Sequence, residues 1–280
     1  MNILFCGDKK IEEGLLLSIL SITKQVWEEL HIYVLTAQFD YEGKRYDRVS
    51  ESAVSFLDTL VKQKRTENSV ECFDISSHFL AELPDKNMGT RFTPCCMLRL
   101  FADLVPQLPD KILYLDNDVI CRRDFTPFYS QDITNSEFVG VLDYYGSWFF
   151  RKKWYKRDYC NSGVLLLNLK KIRQTNLFGK CRKACIEKNM FMPDQSALNK
   201  LAVAKGIDER RYNDQRRLRE DTVLQHFTTT FRFSPWFHTV TVKPWQIEDM
   251  HRVLRLHEYD ELLDEFVVLK RKMNQEELSL

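Results

Sequence analysis

An apolar run closes on two carboxylates in Lys111-Ile-Leu-Tyr-Leu-Asp116-Asn117-Asp118-Val119. Side chains alternate along a strand, so at its end Asp116 and Asp118 share one side and Asn117 points away. Two anions held that close repel unless positive charge lies between them. A hard divalent cation, Mn²⁺ or Mg²⁺, answers this: it takes oxygen ligands and keeps positions open for substrate phosphate oxygens. The pair alone also fits a plainer arrangement, one aspartate capping a turn and the other solvated. Two further stretches carry polar groups at element ends. Cys160-Asn161-Ser-Gly163-Val-Leu-Leu-Leu-Asn168 sets an amide and a flexible glycine just before a buried strand, and Pro193-Asp194-Gln195-Ser-Ala-Leu-Asn199 opens a helix with Asp194 as a good N-cap. Singly, these are an ordinary turn and an ordinary helix start.

Groups of this kind need a scaffold that gathers strand ends. Short apolar runs alternate with longer amphipathic ones, which predicts strand-helix-strand units around a mostly parallel sheet. Strands are expected at 2–6, 31–35, 70–75, 112–115, 138–142, 164–167 and 223–227. Helices are expected at 12–30, 46–64, 95–105, 169–188 and 195–204. In such a doubly wound fold ligands sit beyond the carboxyl ends of the strands, which singles out Gly7-Asp8, Asp116-Asn117-Asp118, Asp143-Tyr144 and Asn168. Neither glycine-rich phosphate-binding fingerprint, G-x-G-x-x-G or G-x-x-x-x-G-K-[ST], is present. All eight prolines lie at or after Pro84 and no Gly/Pro/Ser-rich linker divides the chain, so one domain is expected. From Gln246 onward the sequence reads as a helical appendage packing through Leu254, Leu256, Leu262, Leu263 and Phe266.

Composition excludes several classes. Over 280 residues, 41 Lys+Arg against 40 Asp+Glu leave a net charge of +1, so no bulk field selects a polyanion or polycation. A 44% hydrophobic share supplies one large core and rules out disorder. No apolar run approaches a membrane span, and the N-terminus lacks the pattern of a secretory signal, so a soluble, cytoplasmic chain is expected, with its eight cysteines reduced and serving as packing residues. The stretch 208–220 (DERRYNDQRRLRE) has five arginines, but acidic residues interleave them. It reads as a solvated loop or helix rather than a nucleic-acid surface.

Five motifs in order, LYLDNDV, NSGVLLLNLKKIR, PDQSALN, a late His-Phe and Lys243-Pro-Trp245, resemble glycosyltransferase family 8, a family that includes bacterial lipopolysaccharide galactosyl- and glucosyltransferases and glycogenin. The similarity spans roughly residues 1–245, leaving 246–280 as the appendage. It implies an α/β GT-A nucleotide-sugar fold, a mostly parallel mixed sheet flanked by helices. It also implies a metal-dependent transfer of glucose or galactose from a UDP-sugar, with retention of anomeric configuration.

The same resemblance assigns residues. Asp8 would meet the uracil, although Lys9 and Lys10 depart from the more acidic or polar neighbours usual there. Asp116 and Asp118 match the metal aspartates, and Asn117 lies where the backbone approaches the ribose. Arg99 matches an arginine reaching the donor sugar or pyrophosphate, and Asn161 an amide on the donor sugar. Asp194 and Gln195 match the pair at the reactive face, with Gln195 stabilising the anomeric centre. An amide is a feeble nucleophile, so front-face displacement assisted by the departing UDP is favoured over a covalent double displacement. The third metal ligand is His226 or His238, with His226 preferred, and Lys243 is the pyrophosphate partner. Asp143 opens an aromatic and basic loop running to Tyr159. With Trp148 and Trp154 it reads either as aromatics packing over the sheet or as a platform for a glycan or lipid-linked acceptor, with peripheral contact to an anionic membrane face. A divalent-metal nucleotidyltransferase or phosphatase could use the same Asp pair, but would leave NSGVLLLNLKK and KPW without a purpose.

Overall fold

The computed structural model describes residues 1–89, 94–149, 158–232, 236 and 238–278. Seven strands form the central sheet: β1 (Asn2–Gly7), β2 (His31–Thr36), β3 (Ser69–Asp74), β4 (Lys111–Leu115), β5 (Phe138–Leu142), β6 (Cys160–Asn168) and β7 (Lys205–Asp208). Their spatial order is 3-2-1-4-6-5-7. All run in one direction except β6, which is antiparallel to both β4 and β5. Continuous apolar runs form these strands because both faces of the sheet are covered. Ile3 and Phe5 feed one core and Leu4 the other; Leu113 and Leu115 oppose Ile112 and Tyr114; Val164 and Leu166 oppose Leu165 and Leu167.

The first core is covered by α1 (Glu12–Gln25) and α2 (Glu51–Lys64), whose cap Ser50 accepts the Ala53 N–H. The second lies under α3 (Leu169–Thr175), α4 (Leu177–Glu187), α5 (Pro193–Leu201) and an eleven-residue 3-10 helix, Pro94–Leu104. From the appendage, α6 (Asp260–Leu278) packs on α1 and α2, burying Leu262, Leu263 and Phe266 in the first core, with Leu254 and Leu256 half-buried beside it.

Several expected boundaries move, each for a local reason. The start of the expected 46–64 helix is taken by a hairpin, Phe39–Tyr41 with Lys44–Tyr46. The 169–188 helix breaks at Asn176, which adopts φ 54°, a left-handed conformation that Asn tolerates. The 95–105 segment is 3-10 rather than α; at three residues per turn Cys96 and Arg99 eclipse on one edge. Strand β6 begins at Cys160, so Asn161 and Gly163 lie within it rather than before it. The 223–227 strand pairs outside the main sheet, as Leu224–His226 antiparallel to Val119–Cys121. Half-exposed β7 carries no apolar run and was not expected.

No disulfide links the described cysteines. Burial pushes the Cys160 and Cys185 thiols up to about 12, so they remain protonated and act as packing groups.

Candidate active site

Strand β4 stops at Leu115, and Asp116 to Asp118 form a turn closed by the Val119 N–H on the Asp116 carbonyl at 3.2 Å. The two carboxylates meet through this turn and not through strand alternation. The Asp116 N–H donates to the Gly163 carbonyl at 2.8 Å, and Asp116 Oδ1 accepts from Arg99 Nη2 at 2.9 Å and from the buried Tyr114 hydroxyl. Asp116 Oδ2 lies 3.5 Å from His226 Nε2, and Asp118 Oδ1 3.2 Å from the same nitrogen. Lys243 Nζ donates to Asp118 Oδ2 and, at 3.2 Å, to the Phe227 carbonyl. Burial works against the Asp118 carboxylate, but the charge of the Lys243 ammonium above all offsets it, and its pKa lies well below the usual carboxylate range. Burial likewise opposes the Lys243 ammonium, and the charge of Asp118 overcomes it, raising the lysine pKa.

Three observations fit this cluster to a divalent cation. Asp118 Oδ1 is buried with no hydrogen-bond partner among the described residues. Two carboxylates of one turn and an imidazole from the Leu224–His226 strand converge, a donor set suited to Mn²⁺ or Mg²⁺, with the nitrogen favouring Mn²⁺. The floor is open because residue 163 is glycine: a Cβ there would stand 2.1 Å from His226 Cε1 and 2.7 Å from Asp116 Oδ2. His238 lies elsewhere, in the hairpin of Thr230–Arg232 with His238–Val240, its Nδ1 against the Trp236 carbonyl at 2.8 Å. The other group of ligand-type side chains, His251, His257 and Asp260, is closed on itself. Each imidazole takes its own Asp260 oxygen, and the rings stack face to face at 4.4 Å, so their lone pairs do not converge.

Arg99 is buried among the acidic groups of the site. It is 4% exposed and stacks on Tyr114 at 4.3 Å, and its guanidinium bridges Asp116, Asp194 (3.3 Å) and the carbonyls of Cys96 and Ser162. Asp194 is not the N-cap of α5, a place held by Met192; its carboxylate accepts from the Ser162 hydroxyl at 3.1 Å and turns to Arg99. Gln195 Oε1 accepts from the Ser162 N–H (3.0 Å), the Ser162 hydroxyl (3.3 Å) and Asn161 Nδ2 (3.3 Å), while its Nε2 donates to Asp143 Oδ2 at 3.3 Å. Asn161 Nδ2 also donates to Asp143 Oδ2, at 3.0 Å. One connected network therefore holds Asp116, Asp118, His226, Lys243, Arg99, Asp194, Gln195, Asn161 and Asp143.

Asn117 and Asp8 stand outside that network. Asn117 packs on α1, where only glycine fits at 14: a Cβ there would lie 2.4 Å from Asn117 Nδ2 and 2.9 Å from the Trp245 ring. Asp8 is buried at the end of neighbouring β1, and desolvation raises its pKa. Of the atypical lysines beside it, Lys9 pairs with Glu277 of α6, and Lys10 stands 5.6 Å over the Tyr46 ring while its charge partly opposes the rise at Asp8. Asn168 lies at the opposite end of β6, where it caps α3. The platform residues Arg151–Arg157, with Trp154, are outside the described residues, as is the Trp148 side chain. Nearby, Tyr145 Oη accepts the Phe231 N–H at 2.8 Å, and Arg216 stands 5.0 Å over the Tyr144 ring.

Asn213 was missed by the sequence reasoning. The stretch read as a solvated loop or helix buries its centre, with Asn213 1%, Asp214 2% and Gln215 6% exposed. Asn213 Nδ2 donates to Asn161 Oδ1 at 3.0 Å, and its Oδ1 lies 3.1 Å from His226 Nδ1. The available signal was the pair of amides, Asn213 and Gln215, in an otherwise charged run.

A mostly parallel sheet with one reversed strand, and acidic, amide and imidazole groups gathered at β4 and β6, define a GT-A nucleotide-sugar transferase architecture. The profile of "Glycosyl transferase family 8" matches residues 2–248, and the chain belongs to that family. A "Putative glycosyltransferase" of Haemophilus influenzae is 26% identical over 218 residues, covering 73% of this chain and 60% of that protein. A "Probable glycosyl transferase Gly" of Streptococcus gordonii is 30% identical over 116 residues, 40% of this chain. The chain spans 16% of the Streptococcus protein and 60% of the Haemophilus one. Galactosyltransferase LgtC, solved with donor and acceptor sugar analogues, superposes with a TM-score of 0.65 at 20% identity, covering 95% of this chain and 96% of that one. GlyE of Streptococcus pneumoniae TIGR4 gives 0.64 at 18% identity, covering 94% and 63%. No described helix is long and apolar enough to cross a membrane.

Proposed function

We propose that this chain is a Mn²⁺- or Mg²⁺-dependent retaining hexosyltransferase that moves glucose or galactose from a UDP-sugar to a glycan or lipid-linked acceptor, in surface polysaccharide or lipopolysaccharide synthesis at the cytoplasmic face of a membrane. The observation that carries the reading is the convergence of Asp116, Asp118 and His226 on one point beside the Asn161, Asp194 and Gln195 network. A divalent cation bound there supplies charge to offset the diphosphate of the donor and of the departing UDP.

The residues divide the remaining work. Asp116, Asp118 and His226 hold the cation, with Asp8 on the uracil and Asn117 near the ribose. The Lys243 ammonium neutralises charge developing on the leaving group. Asn161, Asp143 and Asp194 orient the sugar hydroxyls, and Arg99 holds the carboxylates of Asp116 and Asp194 in register. Gln195 Oε1 faces the anomeric carbon only as a dipole: three donors engage that oxygen, which lowers its already weak nucleophilicity. This favours front-face displacement over a glycosyl-enzyme intermediate.

The test is a panel of UDP-sugars with Mn²⁺, following UDP release, with the product anomer assigned by NMR. Release from UDP-glucose or UDP-galactose with a retained anomer is expected. Absence of binding and turnover with every member would overturn the proposal.

A further inference from the structure

The hydrogen bonds around Asn161 leave no freedom in the direction of their donors, and that direction reaches the cation cluster. The Gly163 backbone N–H can only donate, and it meets Asn161 Oδ1 at 2.9 Å. The other end of that amide, Nδ2, meets a group that as a carboxylate can only accept, Asp143 Oδ2 at 3.0 Å. Both ends therefore agree on how Asn161 lies. Its oxygen then requires a donor from Asn213, which fixes Nδ2 of Asn213 on that side at 3.0 Å and Oδ1 on the other. Asn213 Oδ1 stands 3.1 Å from His226 Nδ1, so the ring nitrogen opposite an obligate acceptor must carry hydrogen. In the neutral ring the second nitrogen, Nε2, is then bare.

We propose that Asn213 is a positioning residue that holds His226 with hydrogen on Nδ1 and turns the Nε2 lone pair to the point between Asp116 and Asp118. The proposal rests on the cation reading of the site. The geometry around Nε2 accommodates it: Asp118 Oδ1 and Asp116 Oδ2 stand 3.2 and 3.5 Å from that nitrogen, the spacing of groups that face one shared point, and Asp118 Oδ1 has no hydrogen-bond partner among the described residues. Asn213 is 1% exposed, so water does not compete for either end of its amide. The His226 backbone is held as well, its N–H on the Asp214 carbonyl at 3.0 Å. The same amide thus ties the donor-sugar residue Asn161 to the cation ligand His226, and outer partners of a ligating histidine set its orientation and basicity.

The experiment uses the full chain labelled with ¹⁵N-histidine. Long-range ¹H–¹⁵N spectra at mildly alkaline pH, where imidazole is neutral, report which nitrogen bears hydrogen, and the His226 signals are assigned by their loss in His226→Gln. Wild type is expected to show the Nδ1–H form. Mn²⁺ affinity is read separately from the EPR signal of free Mn²⁺. Asn213→Leu, which lacks the acceptor, should lose the Nδ1–H preference and bind Mn²⁺ about 10–100-fold more weakly. Asn213→Asp keeps an acceptor toward His226 and should retain both the signature and most of the affinity. An Nε2–H form of His226 in wild type, or wild-type Mn²⁺ affinity in folded Asn213→Leu, would overturn the proposal. Should Asn213→Leu not fold, Asn213→Asp decides, since an Nε2–H form there refutes it equally. If wild type and Asp118→Asn bind Mn²⁺ alike, the cation reading itself fails, and the tautomer spectrum shows that failure apart from the orienting role.

Discussion

Replacing Gly163 by alanine tests the geometry of the cation cluster with one methyl group. An added Cβ would lie 2.1 Å from His226 Cε1, 2.8 Å from His226 Nδ1 and 2.7 Å from Asp116 Oδ2. Carbon atoms in contact stand about 3.5–4.0 Å apart, so the ring must retreat by roughly 1.5 Å. It has little room to do so, because His226 is 5% exposed, its Nδ1 is held by Asn213 and its backbone by Asp214. Overpacking of this kind costs about 1–3 kcal/mol. At roughly 2–4 °C per kcal/mol for a chain of this size, the Tm should fall by about 2–12 °C. Displacing the ligand should weaken Mn²⁺ binding about 10–100-fold. Calorimetry and a Mn²⁺ titration on wild type, Gly163→Ala, His226→Ala and the double variant form a complete cycle. The alanine should cost much less stability once the ring is gone, while cation binding stays lost. A Tm within a degree or so of wild type together with undiminished Mn²⁺ affinity would refute the argument, as would an alanine penalty equally large in the His226→Ala background.

The remaining predictions probe the groups around that centre. Lys243→Met removes an ammonium that shares Asp118 with any bound cation, so Mn²⁺ affinity without donor should rise about tenfold, the worth of one charged hydrogen bond, while the donor KM worsens; a Mn²⁺ titration showing weaker binding would contradict this. Asp8 has its pKa raised by desolvation, so its carboxyl favours the fold below the unfolded-state pKa and that contribution is lost as pH rises through the folded value. Asp8→Asn should therefore leave the Tm at neutral pH unchanged or higher while weakening UDP binding, and a falling Tm would show a favourable interaction at that carboxylate. Phe266→Ala, at a position 1% exposed where α6 meets the first core, should cost about 3–5 kcal/mol in one cooperative calorimetric transition. A separate low-temperature transition would instead mark 246–280 as an independent unit.

Much of the scaffold was legible because strands buried on both faces advertise themselves as unbroken apolar runs. NILFC, KILYL and the Val164–Leu167 core of β6 needed no other signal, and in the α2 region Val49, Ala53, Phe56, Leu57 and Leu60 recur at helical spacing and are buried. What escaped had weak local signatures. β7 is half-exposed and contains a glycine, the Asn176 break depends on a single left-handed residue, and the 3-10 winding of 94–104 has the same apolar content as an α-helix. In the site, Asp116 and Asp118 stood out by type and spacing, whereas His226 was reached only through the family resemblance, with His238 as its alternative. The orienting residues did not stand out. Asn213 sat among five arginines and Ser162 inside a turn-like tripeptide, and their contacts with Asn161, Gln195 and Asp194 span 32 to 52 residues of sequence. Arg99 was singled out only through the family resemblance, and its burial between two carboxylates is a tertiary property that no local pattern carries.

The reversal of β6 explains why its N-terminal residues carry the chemistry. In a wholly parallel sheet the functional end of Val164–Asn168 would be Asn168, the residue that follows the apolar run. Because β6 is antiparallel, Leu115 pairs with Val164 and Lys111 with Asn168, so the beginning of β6 lies beside the end of β4. Asn161, Ser162 and Gly163 are thereby delivered to Asp116 together, and each supplies what only its backbone or side chain can. The Gly163 N–H fixes Asn161, its carbonyl takes the Asp116 N–H, and its missing Cβ admits His226; the Ser162 N–H fixes Gln195 while its carbonyl and hydroxyl hold Arg99 and Asp194. A net charge of +1 is compatible with so polar a centre because its charges alternate over a few ångströms: Arg99 between Asp116 and Asp194, and Lys243 on Asp118. Among the described residues Asp118 Oδ1 is a buried acceptor this pattern leaves without a donor, and it faces His226 Nε2 at 3.2 Å, the point where the proposed divalent cation would close the charge alternation.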